Sequence, residues 1–255
     1  MKRTRRRPRV MVTTGGRNVV SHVGARLLGD VAERLGLEAG LSVAIAPTKQ
    51  RRGHDRGGVL VDVAVMIADG GLRISDLAVL ADQPALFGDV ASVPTAWRAL
   101  AAVDDQALAR IAVARAAARA NAWAAGMDPG FYVIDIDATL IGAHSEKEHA
   151  APTYKRGYGF HPLLAYLDAT REPLAGMLRP GNPGSGTAED HITVLNDALA
   201  QLPVSPGEHE IIVRTDSAGL SHQFLEHCHQ HDVRFIVGHP LKAPTAAIIW
   251  NSTLC

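Results

Sequence analysis

Val133-Ile134-Asp135-Ile136-Asp137-Ala138-Thr139 and Ile211-Ile212-Val213-Arg214-Thr215-Asp216-Ser217 are apolar, β-branched runs that lead into acidic residues. Each reads as a buried strand delivering a carboxylate to its C-terminal edge. A carboxylate buried there is costly unless something compensates it, and a divalent cation is a natural partner. Two such strands in one sheet suggest a Mg²⁺ site for phosphoryl chemistry. Period-two alternation puts Val133, Asp135, Asp137 and Thr139 on one face of the first strand. Asp137 lies nearer the C-terminal edge and is the favoured ligand, with Asp135 either behind it or as an alternative ligand. The competing explanation for this pair is a salt bridge to Lys or Arg. For Asp216 it is a helix N-cap ahead of Ser217-Ala218-Gly219.

Other chemistry is less well supported. The C-terminal half is rich in histidine, but His227, His229 and His231 are spaced two apart on a predicted helix and cannot share a face. His227 and His231 could chelate, yet no carboxylate–histidine signature accompanies them, so zinc is disfavoured. Cys228 reads as a small buried hydrophobe. The glycine-rich segment 181–186 lacks the Lys-Ser/Thr of a phosphate-binding loop.

The elements that must position the aspartates follow from the pattern. Strands are predicted over 131–140, 158–168, 173–179, 210–216 and 233–238, with a long polar loop over 141–157. Helices are predicted from Thr187 to about Leu202 and from Ser221 to His231, the first with Glu189 and Asp190 in its opening turn, where the helix dipole favours them. The result is an α/β sheet of mixed direction. Before Asp128-Pro129-Gly130 the pattern is helical. Val20, Val23, Leu27, Leu28, Val31 and Leu35 recur at helical spacing before Gly36, residues 59–68 form an apolar helix, and Asp104-Asp105 opens a long Ala-rich one. A helix–turn–helix would fit over 74–103, with 94–103 as its second helix.

Composition bounds the setting. The chain has 255 residues, 47% hydrophobic and 20% charged, so one or two globular domains are expected. Formal net charge is zero, but the charge is unevenly distributed. Lys2, Arg3, Arg5, Arg6, Arg7 and Arg9 form a basic tail, and Lys49, Arg51, Arg52 and Arg56 a second basic cluster, both suited to a polyanion such as DNA. The two cysteines, Cys228 and Cys255, make no disulfide framework, so a reducing cytoplasm is the default. No apolar run has the length of a membrane span.

Several motifs occur together in order: Asp135-Ile136-Asp137-Ala138-Thr139, Ala143-His144-Ser145-Glu146-Lys147-Glu148, Lys155-Arg156-Gly157-Tyr158-Gly159-Phe160-His161-Pro162, Leu178-Arg179-Pro180-Gly181-Asn182 and Arg214-Thr215-Asp216-Ser217-Ala218-Gly219. With Leu77-Ala78-Val79-Leu80-Ala81-Asp82-Gln83-Pro84-Ala85-Leu86-Phe87-Gly88, they resemble the DDE-type transposases of bacterial insertion sequences, the group-1 DDE domain. The resemblance implies a helical N-terminal region over 1–128 that binds DNA. It implies a partial ribonuclease-H-like mixed sheet with flanking helices over 129–255. It places catalytic carboxylates at Asp137, on the first strand, and Asp216, at the end of the fourth.

The intact family holds two Mg²⁺ ions with three carboxylates for in-line attack on a phosphodiester. Its third carboxylate is a Glu on a later helix. No acidic residue follows Asp232 here. The expectation is therefore a C-terminally truncated, inactive copy with weak or single Mg²⁺ binding, and an exposed apolar patch at 246–250. The alternative is a catalytically dead DNA-binding regulator of a full-length transposase. Expected partners are the element's terminal inverted repeats and a second copy or full-length transposase, in the nucleoid of a bacterial cytoplasm.

Overall fold

Residues 7–8, 21–45, 53–143, 147–183 and 188–239 are described by the computed structural model. They fall into two units, Met1–Met127 and Asp128–Cys255.

The first unit is helical: α1 Val23–Arg34, α2 Leu37–Ala44, α3 Arg56–Ala68, a 3-10 turn at Ile74–Leu77, α4 Ala78–Ala81, α5 Pro84–Phe87, α6 Val93–Ala101 and α7 Asp105–Ala122. Two starts are set by side-chain caps. Asp55 accepts from Gly58 N at 3.0 Å and Asp104 from Ala107 N at 2.7 Å. Each cap satisfies an otherwise orphaned helix N–H and stabilises by about 1 kcal/mol. α3 is apolar on most sides and supplies Val59, Val61, Val65 and Met66 to the core, with Leu77, Leu80 and Phe87. It approaches α2 closely because residue 57 is glycine: a Cβ there would lie 2.3 Å from Ser42 N.

Segment 74–103 is not two helices joined by one turn. A 3-10 turn and two single-turn helices precede α6. Pro84 forces the break, because the residue before a proline is driven out of the helical region; Gln83 sits at φ −123°, ψ 60°. Asp76, the third residue of the first of these turns, reaches back to accept from the backbone N–H groups of Leu72 and Arg73 at 2.9 Å each. Those two bonds hold its carboxyl below the usual range.

α1 buries a different face from the one its apolar spacing suggests. Leu27, Leu28 and Val31 are exposed, while Ala25, Arg26, Gly29 and Ala32 are buried. The small residues make room for Arg7, whose Nε would lie 3.0 Å from a Cβ on Gly29. Arg7 is therefore placed differently from the basic tail to which its sequence position assigns it. It is 2% exposed and donates to Glu38 at 2.7 Å, Asp62 at 3.2 Å and the Gly29 carbonyl at 3.3 Å. Desolvating a guanidinium is costly, and these two carboxylates compensate it. Lys2, Arg3, Arg5, Arg6, Arg9, Arg51 and Arg52 lie outside the described residues.

The second unit holds β1 Tyr132–Ala138, β2 Ile141–Gly142, β3 Ala151–Pro152, β4 Tyr158–Phe160, β5 Leu163–Leu167, β6 Glu172–Met177, α8 Ala188–Leu199, β7 Ile211–Thr215, α9 His222–Gln230 and β8 Val233–Val237. The main sheet runs β6-β5-β1-β7-β8. β6, β5 and β1 are antiparallel neighbours, while β1, β7 and β8 are parallel. This mixed order, with the first strand central and the fourth beside it, is the ribonuclease-H-like arrangement. One face packs Ile134, Ile136, Ile211 and Val213 under α8 (Val194, Leu195, Ala198) and α9 (Phe224, Cys228). Burial pushes the Cys228 thiol up to about 11, as befits an inert core residue.

Two expected elements differ from the structure. The strand expected over 158–168 breaks at His161-Pro162, giving β4 and β5 in different sheets. The loop expected over 141–157 contains β2 and β3, which pair on either side of β4. Two-residue strands are too short to show alternation. Gly159 allows this small sheet: its φ is +155°, and a Cβ would lie 2.0 Å from the Ile141 carbonyl oxygen. Thr187, the expected start of the helix that becomes α8, and the apolar run at 246–250 lie outside the described residues.

Candidate active site

The two acidic strand ends meet because β1 and β7 are parallel neighbours. Their register runs from Tyr132↔Ile211 to Ile136↔Thr215, so Asp137 and Asp216 each follow the last position paired between these two strands. On β1 the buried Ile134 and Ile136 turn Asp135 and Asp137 to the opposite, more open face. Asp137 accepts from Ala138 N at 2.7 Å. Asp216 accepts from Ala218 N at 2.9 Å and caps the 3-10 turn Ser217–Gly219. The cap expected as the competing explanation for Asp216 is therefore present, and it engages one carboxylate oxygen.

Asp137 and Asp216 line one cavity of about 710 Å³. Its other walls include Tyr154, His161, Arg179, Asn182 and His191. Among the described residues, neither aspartate forms a salt bridge. Arg179 is buried and already engaged: Nε donates to the His161 carbonyl at 3.1 Å and Nη1 to Asp190 at 3.2 Å. Burial and this guanidinium hold the His161 imidazole below its usual range, against a smaller upward pull from Asp137. His191 packs its ring edge-on against Phe224 at 5.6 Å.

Asp135 takes the salt-bridge alternative instead. Arg214, its register partner on β7, grips it with two bonds of 2.6 and 2.7 Å and reaches Asp168 at 3.2 Å. Asp135 does not line the cavity. A cross-strand pair on the sheet's open face therefore engages both its oxygens, whereas Asp137 and Asp216 face the cavity. Asp135→Asn should therefore leave divalent-ion affinity unchanged and lower stability by about 1 kcal/mol. Isothermal titration with Mn²⁺ and urea unfolding would check both halves; a tenfold loss of ion affinity would return Asp135 to the site.

The donor set suits a hard cation. Two carboxylates free of ion pairs among the described residues match Mg²⁺, which binds through one or two carboxylates and keeps several waters. Among the described residues no group of three His, Cys, Asp or Glu is placed to hold a metal. The sequence pattern pointed to the two aspartates. It assigned no role to Tyr154, His161 or Arg179, although His161 and Arg179 stand in motifs that carried the resemblance and Tyr154 directly precedes one. The available signal was their clustering in short runs rich in glycine and proline.

The family described as Transposase DDE domain group 1 matches residues 2–248. No curated protein matches the chain. A chain of the piggyBac transposase synaptic complex with hairpin DNA is 13% identical with a TM-score of 0.44, the alignment covering 92% of this chain and 54% of that one. A chain of the simian T-cell lymphotropic virus intasome in complex with PP2A regulatory subunit B56 gamma is 13% identical with a TM-score of 0.28, covering 49% of this chain and 37% of that one. The chain thus spans about half the length of the first and less of the second.

Proposed function

The chain belongs to the transposase DDE domain group 1 family, and from that membership we propose that it handles DNA phosphodiesters at Asp137 and Asp216. The observation that carries this reading is the convergence of two carboxylates, free of ion pairs among the described residues, on one cavity at the edge of parallel strands. Mg²⁺ held there would supply charge neutralisation and activation of an attacking hydroxyl. Asp137 and Asp216 are its ligands, and two carboxylates favour weak or single-ion binding. Residues 129–255 form the catalytic domain, and residues 1–128 bind DNA, the terminal inverted repeats of an insertion sequence.

The cavity has two carboxylates among the described residues, and in-line phosphoryl chemistry depends heavily on electrostatic positioning. The 255-residue chain is therefore expected to bind DNA while cleaving it poorly or not at all. The same two-carboxylate count favours a second reading, in which the chain is a silent DNA-binding regulator of a full-length transposase. The test is an assay of the purified chain with Mg²⁺ on plasmid DNA carrying the element's ends, scored for strand cleavage and for binding. Binding without cleavage is the expected result. Robust cleavage would remove the regulator reading, and no binding to DNA would remove both.

No helix among the described residues is long and apolar enough to cross a membrane. Neutralising Lys2, Arg3, Arg5, Arg6 and Arg9 to Gln should weaken DNA binding whatever the sequence. It should also flatten the plot of log K against log salt by about 0.9 for each phosphate no longer neutralised. An unchanged slope in fluorescence anisotropy titrations would remove the tail from the interface.

A further inference from the structure

We propose that the tip of the β3–β4 hairpin, Thr153–Gly157, is a clamp for an unpaired DNA strand end beside Asp137 and Asp216. The inference rests on the reading of those two aspartates as a DNA site. The tip is a tightly specified turn. Arg156 N donates to the Thr153 carbonyl at 3.0 Å, Thr153 N to the Gly157 carbonyl at 2.8 Å, and Gly157 N to Thr153 Oγ1 at 3.0 Å. These bonds hold the corners in place and present Tyr154, Lys155 and Arg156 to solvent.

Tyr154 is 70% exposed, an unusual position for a large aromatic ring that adds nothing to a core. It nevertheless lines the cavity that holds Asp137 and Asp216. Its ring lies 5.8 Å from that of His161, tilted by 55°, and Lys155 Nζ sits 5.7 Å from its centroid. Among the described residues neither Lys155 nor Arg156 forms a salt bridge, so both charges are available to a ligand. Arg156 is also held at φ +61°, a left-handed conformation that glycine would adopt without strain.

An exposed aromatic face flanked by two cations free of salt bridges is the combination that binds single-stranded nucleic acid: the ring stacks on a base and the cations hold its phosphates. A duplex hides its base faces, so this tip favours unpaired nucleotides. Its place on the cavity wall would set the strand end next to the two aspartates.

The test uses the full 255-residue chain and two fluorescent DNAs with the same paired length. One is blunt, and the other ends in a short 3′ overhang containing 2-aminopurine. The wild-type chain should bind the overhang DNA about tenfold more tightly or better, with quenching of the 2-aminopurine, as expected for one stacked base. Tyr154→Ala should abolish the preference and the quenching while leaving blunt-duplex affinity unchanged. Tyr154→Phe should retain both. Arg156→Gly should reduce the salt slope on the overhang DNA by about 0.7. It should not lower the melting temperature, because glycine relieves the left-handed strain, so unfolding cannot explain the loss. Wild-type affinity and quenching in Tyr154→Ala would overturn the clamp while leaving the DNA reading intact. A wild-type chain that binds neither DNA would overturn both.

Discussion

Asp137→Asn and Asp216→Asn should each lower Mn²⁺ affinity by about a hundredfold. Two unit charges about 4 Å apart interact by about 1 kcal/mol in water and about 4 kcal/mol at the effective dielectric of a protein surface. Removing one of two carboxylates from a divalent ion therefore costs a few kcal/mol, and about 1.4 kcal/mol is tenfold in affinity. Asparagine keeps an oxygen that can accept from Ala138 N or Ala218 N, so the strand end and the cap at Ser217–Gly219 are preserved. The loss would then report charge and not misfolding. Mn²⁺ paramagnetic resonance titration is the measurement, with Asp135→Asn as the control that should not respond. Equal affinity in Asp137→Asn and the parent chain would remove this residue from the site. Any strand cleavage supported by Mg²⁺ should vanish in both variants, because positioned charge carries most of such catalysis.

Arg7→Ala should destabilise the unit Met1–Met127 by about 3 kcal/mol. Removing one partner from a buried ion pair leaves a charge without compensation, at a typical cost of about 3–5 kcal/mol. Here two carboxylates lose a guanidinium at once, and Asp62 is only 1% exposed. Arg7→Lys should recover only part of the loss, since an ammonium cannot reproduce the fork that reaches Glu38, Asp62 and Gly29 together. Urea unfolding followed by helical circular dichroism would measure both variants. An unchanged midpoint in Arg7→Ala would return this arginine to the exposed tail. The distinction matters for DNA binding. Weaker binding in a variant that includes Arg7 would reflect unfolding, whereas weaker binding on neutralising Lys2, Arg3, Arg5, Arg6 and Arg9 would reflect phosphates left without a counter-charge.

The strands that carry Asp137 and Asp216 could be read directly from the chain, because β-branched apolar runs with a terminal carboxylate have a local signature. So could the helices over α3, α7, α8 and α9, three of which begin at side-chain caps, Asp55, Asp104 and Ser221. The mixed sheet followed from their order. What lies between the first and second long strands did not. β2, β3 and β4 are too short for periodicity, and they are held by pairing across chain separations that local pattern does not encode.

The roles of the acidic residues show the same division. Alternation placed Asp135 and Asp137 on one face, and nearness to the strand's C-terminal edge was the one local feature that favoured Asp137. The rest of their difference is tertiary: the register of β1 against β7 puts Arg214 opposite Asp135, while Asp137 lies one step past the last pair of that ladder and opens on the cavity. Arg7 is the corresponding case in the helical unit. Six basic residues in the first nine look alike in sequence. One is drawn inside because α1 offers Gly29 as space and α2 and α3 offer Glu38 and Asp62 as charge. Local pattern is written by backbone preference and the period of burial, so residues alone settle which segments become strands and helices. Which charge is compensated and which is left to bind a ligand depends on neighbours that only folding brings within reach.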